Sequence, residues 1–346
     1  MTTMKNKLSC EETSHLCELL GMPGFIVPWL DRFYEPAEIA WILTFDPESS
    51  ADATSKDQGP FHGGHVHKSL SEFLARCYGR AVANRDADGN HVPAGFHQRY
   101  EIWSLFEGWQ DIPDEIRMRL NQWELEYFVE TKQPIIQDYQ KSGLRDKAVV
   151  WPEYVLLAEA QALIDKVPRI FLWPCNCRAM MKACSKPEIV CLRFENSRDL
   201  GWEISKQRAK DIMLAAHKSG LMQSAEIGIA ADGSIHGAIC NCCSDCCYPV
   251  QLANHLNVAG LYPLRRYLAD FNAEKCTTCG RCVKRCPFQA FSLDSKTSNG
   301  AEGSSKQVHF SADRCRGCGL CSTTCPDDAI VMRPLEPSPL SILSEI

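Results

Sequence analysis

The sequence predicts an α+β protein built from several domains, and three observations support this prediction. The chain has 346 residues, which is more than most single domains contain. Its 20 cysteines are unevenly distributed, because 17 of them lie between Cys175 and Cys325. The amino-terminal half instead shows apolar residues at helical spacing, followed by a hairpin turn, DADGN, at residues 86–90.

Residues 1–110 are predicted to form a winged-helix-like domain, and residues 111–165 a helical connector. Three helical segments, EETSHLCELL, EPAEIAWILTF and HKSLSEFLARCYG, precede the hairpin. Residues 1–150 carry 15 Lys and Arg against 23 Asp and Glu, a net charge of −8. A DNA-binding protein needs an excess of cations to neutralise phosphates. This region is therefore expected to make protein contacts rather than to bind nucleic acid. His62, His65 and His67 are expected to lie in a polar loop rather than in a metal site.

The most specific motif is C-x2-C-x2-C-x3-C-P, which occurs as CTTCGRCVKRCP and again as CRGCGLCSTTCP. It is the run of bacterial two-cluster ferredoxins, in which the fourth cysteine of each copy ligates the other cluster. Residues 263–346 are therefore predicted to form a ferredoxin domain with two [4Fe–4S] clusters and an extended tail. The predicted ligands are Cys276, Cys279, Cys282 and Cys325 for the first cluster, and Cys315, Cys318, Cys321 and Cys286 for the second. A pair of zinc ribbons is the alternative, but zinc ribbons use two pairs of ligands.

Between the two motifs, residues 294–307 are rich in Gly and Ser and are expected to form a flexible surface loop. A short helix and then a strand are expected within FQAFSLD and within DDAIVMR, which follow the two motifs.

Residues 166–262 are predicted to form a cysteine-rich α/β domain. RIFLW is typical of a buried strand, and ISKQRAKDIMLAAHKSGLM of a helix that stops at Gly220. The nine cysteines of this region are Cys175, Cys177, Cys184, Cys191, Cys240, Cys242, Cys243, Cys246 and Cys247. They could bind one or two further iron–sulfur clusters, which is the favoured interpretation; zinc and a redox-active dithiol are the alternatives. His217 and His236 are further candidates, although a lone histidine is more often an ordinary hydrogen-bonded residue.

The order of these motifs resembles that of ferredoxin-type 4Fe–4S dicluster proteins of anaerobic bacteria and archaea. The resemblance rests on PCNCR at residues 174–178, CSKPEIVC at 184–191, ICNCCSDCC at 239–247 and the two ferredoxin motifs. It departs at Asp245, where many relatives carry another cysteine. The resemblance implies electron transfer and a cysteine-rich middle domain that precedes the ferredoxin domain.

The sequence therefore predicts an electron-transfer protein or subunit rather than a stand-alone enzyme. It would pass single low-potential electrons between a redox partner, such as a flavoprotein, and an anaerobic oxidoreductase. Two alternatives stay open: a catalytic cluster with an open coordination position at residues 240–247, and a redox-responsive winged-helix regulator. A homo- or hetero-oligomer is compatible with the sequence.

A cytoplasmic location is expected from the absence of two features. The first residues, MTTMKNKLSC, lack the apolar run of a signal peptide, and no segment approaches the roughly 20 apolar residues of a membrane span. The sequence also contains no Gly-rich dinucleotide fingerprint and no P-loop.

Overall fold

The computed structural model describes residues 8–45, 69–109, 111–144, 146, 149–230, 232–296, 305–336 and 341–343. The chain divides into two compact units, residues 1–124 with 197–200, and residues 125–196 with 201–346. Both units contain helices and strands, which agrees with the predicted mixture of the two. Among the described residues, no helix has both the length and the apolar character that a membrane crossing requires.

The first unit consists of helices that lead into a short hairpin. Its elements are α1 (Cys10–Leu20), α2 (Leu30–Phe33), α3 (Pro36–Leu43), α4 (Leu70–Gly79), β1 (Ala83–Arg85), β2 (His91–Pro93), α5 (Phe96–Phe106) and the start of α6 (Asp114–Ser142). The three predicted helical segments and the hairpin are therefore present, whereas the winged-helix arrangement stays a prediction. His62, His65 and His67 lie outside the described residues.

Side-chain hydrogen bonds fix the start of α1 and the turn between β1 and β2. Ser9 Oγ accepts the N–H of Glu12 at 3.1 Å, and the Glu12 carboxylate accepts the N–H of Ser9 at 2.7 Å. This reciprocal capping box satisfies two N–H groups that would otherwise lack partners at the start of α1. In the hairpin turn, Asp86 Oδ1 accepts the N–H groups of Asp88 and Asn90 at 3.0 and 2.8 Å.

Arginines hold the interior of the first unit together. Arg99 is fully buried; its Nε donates to the Phe33 carbonyl and its Nη1 to Glu107 Oε1, both at 2.7 Å. Arg80 bonds to the same carboxylate at 2.9 Å, and Arg76 pairs with Glu35. These guanidinium groups are thus committed to internal contacts, as buried charges must be.

The second unit is built on a six-stranded sheet. Its first elements along the chain are β3 (Glu153–Val155), α7 (Leu157–Lys166), β4 (Phe171–Pro174), α8 (Asn176–Met181), β5 (Ile189–Arg193), β6 (Trp202–Glu203), α9 (Lys206–Lys218), β7 (Met222–Ile229), β8 (Ile235–Cys242) and α10 (Tyr248–His255). The strands are antiparallel, in the order β3-β7-β8-β5-β4-β6. The predicted strand at RIFLW and the helix that ends before Gly220 are both confirmed.

One face of this sheet is covered by α7 and α9. Met213 of α9 and Ile164 of α7 pack into the same buried cluster as Leu192 of β5 and Ile239 of β8. Because side chains alternate along a strand, the residues next to Leu192 and Ile239 point to the opposite face. Those neighbours include Cys191 and Cys240, so the helix layer determines which face of the sheet receives thiols.

The carboxy-terminal part of the second unit adds two small antiparallel ladders. Its elements are β9 (Tyr267–Phe271), α11 (Arg281–Arg285), β10 (Phe291–Lys296), β11 (Ser305–Phe310) and β12 (Ile330–Pro334). β9 pairs with β12, and β10 pairs with β11. The strands predicted after the two cysteine motifs are therefore present as β10 and β12. The short helices predicted before them are wrong, because only a turn leads from each motif into its strand.

The prediction of a flexible loop over residues 294–307 is wrong at both ends of this range, where the residues form strands. Asp294 pairs with Gln307, and Lys296 pairs with Ser305, so the β10–β11 ladder continues into the Gly- and Ser-rich stretch. The pairing continues outward from Leu293 and Val308, which pack in the ferredoxin core. Residues 297–304 lie outside the described residues.

A glycine substitution tests how tightly β7 and β8 are paired. Gly237 in β8 has φ +109°, and a Cβ there would lie 2.1 Å from the Glu226 carbonyl oxygen. Gly233 has φ +81° but no atom within 4 Å of such a Cβ. We expect either Ala substitution to cost about 1–3 kcal/mol of backbone strain, and Gly237→Ala to cost more because it also clashes.

Anaerobic chemical denaturation of the two variants measures this difference. Equal losses of unfolding free energy in Gly237→Ala and Gly233→Ala would show that the close approach to Glu226 is not a constraint.

Candidate metal centres

Two cavities lie in the carboxy-terminal part of the second unit, and four cysteines line each of them. The cysteines that line the first cavity are Cys276, Cys279, Cys282 and Cys325. The cysteines that line the second are Cys286, Cys315, Cys318 and Cys321. The structure thus brings together each set of four that the motif spacing predicts, with the fourth cysteine exchanged between the two copies.

Backbone geometry shapes both cavities. The N–H of Ala290 donates to Cys286 Sγ, and the N–H of Ala329 donates to Cys325 Sγ, both at 3.3 Å. Each donor lies four residues after the cysteine that ends its motif. A Cβ at Gly317 would lie 2.3 Å from the Tyr267 carbonyl oxygen, so the second loop needs glycine at this position. Hydrogen bonds to the sulfurs are among the features that tune the potential of an iron–sulfur cluster.

Burial controls the ionisation of these thiols. It raises the pKa of Cys318 to about 12 and also raises the pKa values of Cys282 and Cys321. A metal binds the thiolate rather than the thiol. Cluster binding therefore has to supply the positive charge that keeps these sulfurs ionised, and it releases protons.

The sheet delivers thiols from several strands to one place. β5 pairs with β8 through Leu192 and Ile239, so the next position places Cys191 beside Cys240. Cys242 lies two residues beyond Cys240 and points to the same face. Cys175 follows β4 directly, and its N–H donates to the Glu188 carbonyl just before β5 at 2.8 Å.

Six of the nine middle cysteines lie close enough for each thiol to influence the ionisation of the next in a closed ring, called here the six-thiol ring. In order around the ring, the members are Cys175, Cys177, Cys247, Cys242, Cys240 and Cys191. Hydrogen bonds from Cys191 and Cys242 lower the pKa of Cys240 to about 7. Hydrogen bonds to Cys175 and Cys247 raise the pKa of Cys177. The ring therefore already contains some thiols favoured as thiolates, the form that metals bind.

The other three middle cysteines form a separate group, called here the three-thiol site. Cys184 Sγ lies 3.7 Å from Cys243 Sγ and 3.6 Å from Cys246 Sγ, and all three sulfurs lie within 4.8 Å of one another. The N–H of Cys246 donates to Cys243 Sγ at 3.3 Å. A hydrogen bond from Cys246 lowers the pKa of Cys243 to about 6.

The run of cysteines at residues 240–247 is therefore not a single site. Of each adjacent pair, Cys242 and Cys247 join the six-thiol ring, whereas Cys243 and Cys246 join the three-thiol site.

A buried arginine lies between the two groups of thiols. Arg178 is 1% exposed, and its Nη1 donates to the Asn241 carbonyl at 2.8 Å. Its Nε and Nη2 are buried without a hydrogen-bond partner. Burial opposes the charge of Arg178, but the nearby thiols Cys175, Cys191 and Cys243 outweigh this effect and raise its pKa. Two buried cationic donors without a partner, with Cys175, Cys191 and Cys243 nearby, are the arrangement expected beside metal-bound thiolates, so these residues fit a bound cluster or ion.

A buried hydrogen-bonded chain joins this arginine to the ferredoxin part. His217 Nε2 lies 2.7 Å from Thr323 Oγ1, and its Nδ1 lies 2.8 Å from Gln223 Oε1. Gln223 Nε2 donates to Asn241 Oδ1 at 2.9 Å, and Asn241 is the residue whose carbonyl accepts from Arg178. Thr323 lies between two predicted cluster ligands, Cys321 and Cys325. These linked hydrogen bonds therefore fix the loop between Cys321 and Cys325 relative to the middle thiols.

Neither candidate histidine lies among the grouped thiols. His217 uses both ring nitrogens in the hydrogen-bonded chain, and His236 lies 3.6 Å from the Glu195 carboxylate on a partly exposed edge. Arg178 belongs to the PCNCR motif at residues 174–178, but the motif alone assigns it no role. An arginine next to a cysteine motif is nevertheless a signal that could have suggested a role beside metal-bound thiolates.

Replacing one predicted ligand tests the first set of four. Cys276→Ala should lose about four irons and four sulfides per chain, the content of one [4Fe–4S] cluster, and keep the rest. Iron and sulfide analysis of protein purified without air measures this loss. Cys17→Ala, which changes a half-buried thiol of the first unit, is the control. Unchanged iron in Cys276→Ala would contradict the ligand assignment.

The buried histidine predicts a pH dependence of stability. Burial, with a smaller contribution from Arg285, lowers the pKa of His217 in the folded protein below its usual 6.5. The unfolded chain therefore takes up this proton first as the pH falls below about 6.5, and the folded state loses stability. Denaturation midpoints from pH 8 to pH 6 should fall more steeply for the wild type than for His217→Gln. Parallel curves would show that His217 is not held neutral.

The comparison with known proteins bears on the carboxy-terminal part. No curated protein matches the chain by sequence. Residues 275–329 match the family model of the 4Fe–4S dicluster domain. This segment holds both cysteine motifs and lines both cavities. The carboxy-terminal part is thus a ferredoxin-like domain that supports [4Fe–4S] clusters, as expected of a ferredoxin-type iron–sulfur protein.

Proposed function

We propose that the protein transfers single electrons through two ferredoxin [4Fe–4S] clusters to a further iron–sulfur cluster held by the six-thiol ring. The ferredoxin clusters are assigned to the two sets of four cysteines described above. When bound, such clusters accept and release one electron at a time, at potentials set by charge, hydrogen bonding and exposure. The protein itself provides the ligands, the spacing between centres and the exclusion of water.

The contact between the second cavity and the six-thiol ring carries this proposal. Cys318 of the second cavity packs in one buried cluster with Cys242 and Cys247 of the ring, together with Tyr154 and Leu320. The Tyr154 side chain is fully buried. Burial is the main cause that raises its pKa, and the nearby Cys247, Cys242 and Cys318 raise it further. No layer of solvent separates such a packed group, and electrons tunnel efficiently over short, densely packed distances.

The first cavity supplies the side where electrons enter or leave. Cys279 is exposed, and so are Arg281 and Lys284 on α11 nearby. Exposed cations beside a cluster raise its potential and attract an acidic partner. We therefore propose an acidic redox protein, such as a flavoprotein, on this side and an oxidoreductase of anaerobic metabolism as the other partner.

Arg285 belongs to a different contact from its two neighbours. Its Nη1 donates to the Lys218 carbonyl at 2.8 Å, and its Nη2 donates to the His217 carbonyl. It therefore satisfies carbonyls at the end of α9, where a cation is favourable, and it holds the ferredoxin part against the middle sheet.

The first unit is proposed to make protein contacts rather than to bind DNA. Arg76, Arg80 and Arg99 are engaged by carboxylates of their own unit, so these three guanidinium groups are not available for phosphates. Lys68, which belongs to the predicted helical segment HKSLSEFLARCYG, lies outside the described residues.

Removal of the second cluster tests the proposed route. In Cys321→Ala, a reduced low-potential flavoprotein should reduce the middle centre about tenfold more slowly or worse, a barrier increase of about 1.4 kcal/mol. Rapid freezing followed by electron paramagnetic resonance separates the signals of the centres. Cys17→Ala is the control for handling and folding.

A small reductant shows whether the middle centre survives in the variant. Reduced methyl viologen should reduce the middle centre of Cys321→Ala to the same final extent as in the wild type. If the flavoprotein reduces the middle centre equally fast in both proteins, electrons do not pass through the second cluster. If the wild type contains no iron beyond its ferredoxin clusters, the middle site is not a cluster.

A further inference from the structure

The three-thiol site differs in size from every other cysteine group of the protein. Its sulfurs lie within 4.8 Å of one another, with separations of 3.6 and 3.7 Å from Cys184. Over the described residues, no three sulfurs of a ferredoxin set or of the six-thiol ring approach one another this closely. The three-thiol site is therefore too narrow to be grouped with the predicted cluster sites.

These separations match the coordination of a single ion. With metal–sulfur bonds of about 2.3 Å, two thiolates at corners of a tetrahedron lie about 3.8 Å apart. The terminal thiolates of a cluster each bind a different iron atom, so they stand further apart. The ferredoxin sets, which lie wholly within the described residues, provide an internal comparison, because no three sulfurs of either set lie within 4.8 Å of one another.

The charge of the surroundings fits the same ion. Three thiolates and one divalent ion leave a single negative charge, and a buried charge needs a partner. Arg178 supplies the opposite charge, with two buried donors that lack any other hydrogen-bond partner and with Cys243 close by. Without thiolates beside it, the Arg178 guanidinium would be an unpaired buried charge.

Among the described residues, no fourth histidine, cysteine or acidic ligand atom lies within 4.8 Å of all three sulfurs. The site packs against Val190, Ala216 and Leu221, and Cys177 of the six-thiol ring and Met181 pack against the same buried cluster. Cys184 is the half-buried member, whereas Cys243 and Cys246 are buried, so the open side of the site adjoins Cys184.

We propose that Cys184, Cys243 and Cys246 bind one tetrahedral Zn²⁺ ion whose fourth position is taken by water or another non-sulfur donor. Zinc suits this site because it favours tetrahedral coordination by thiolates and has no redox chemistry. The ion would tie the segment after α8 to the turn after β8, next to the six-thiol ring. This inference does not depend on electron transfer, since the zinc site could exist whether or not the six-thiol ring holds a cluster.

Two measurements test the proposal: metal analysis and zinc-edge X-ray absorption. The full-length protein is produced with both iron and zinc supplied and is purified without air. We expect about one zinc per chain, with three sulfurs at about 2.3 Å and one lighter atom. Cys184→Ser and Cys243→Ser should lose the zinc and keep the iron content of the wild type. Cys240→Ser, the matched control in the six-thiol ring, should keep the zinc.

Three results would overturn the zinc site. The first is wild-type protein without stoichiometric zinc, and the second is a zinc ion coordinated by four sulfurs. The third is a Cys184→Ser variant that loses cluster iron although its ferredoxin signals stay intact. Where a variant fails to fold, the wild-type absorption spectrum decides alone. Absence of iron from the six-thiol ring would refute the proposed electron route but leave the zinc result unaffected.

Discussion

The second unit depends on balancing the charge of buried sulfur. Its 17 cysteines between Cys175 and Cys325 are mostly buried, and thiolates packed side by side repel one another. Neutral thiols avoid the repulsion but bind no metal, which is the state that burial alone favours at Cys318. Positive charge within the groups resolves this conflict. Clusters or ions would provide most of it, and Arg178 provides the part that the chain encodes itself.

Sheet geometry sorts the sulfurs into separate groups. Alternation along β8 sends Cys240 and Cys242 away from the helix layer, while Cys243, just beyond the strand, contacts α9 residues on the other side. The chain of hydrogen bonds from Thr323 through His217 to Asn241 then links the ferredoxin loop to the residue that holds Arg178. The ferredoxin part and the middle sheet are thus joined by this polar chain, by Arg285 at the end of α9 and by the apolar packing around Tyr154.

The ferredoxin sets could be predicted from sequence because spacing within each motif fixes which sulfurs meet. The middle groups could not, since Cys191 meets Cys240 only through the register of β5 against β8. Adjacent cysteines such as Cys242 and Cys243 look equivalent in sequence. They can be assigned to different groups only when the directions of their side chains are known. Composition also misled at residues 294–307, where Gly and Ser predicted a loop but strand pairing extends from apolar neighbours. Arg285 follows a cysteine motif in sequence, and its contact with the carbonyl of Lys218 at the end of α9 is visible only in the fold.

The central claim is that iron–sulfur centres extend beyond the ferredoxin domain into the middle sheet. An electron paramagnetic resonance titration with stepwise chemical reduction, calibrated by iron and sulfide content, tests it most directly. The account predicts more than the roughly eight irons of two cubanes, and a further reducible signal that couples magnetically to one ferredoxin cluster. Eight irons or fewer, with two signals that account for every electron taken up, would contradict it.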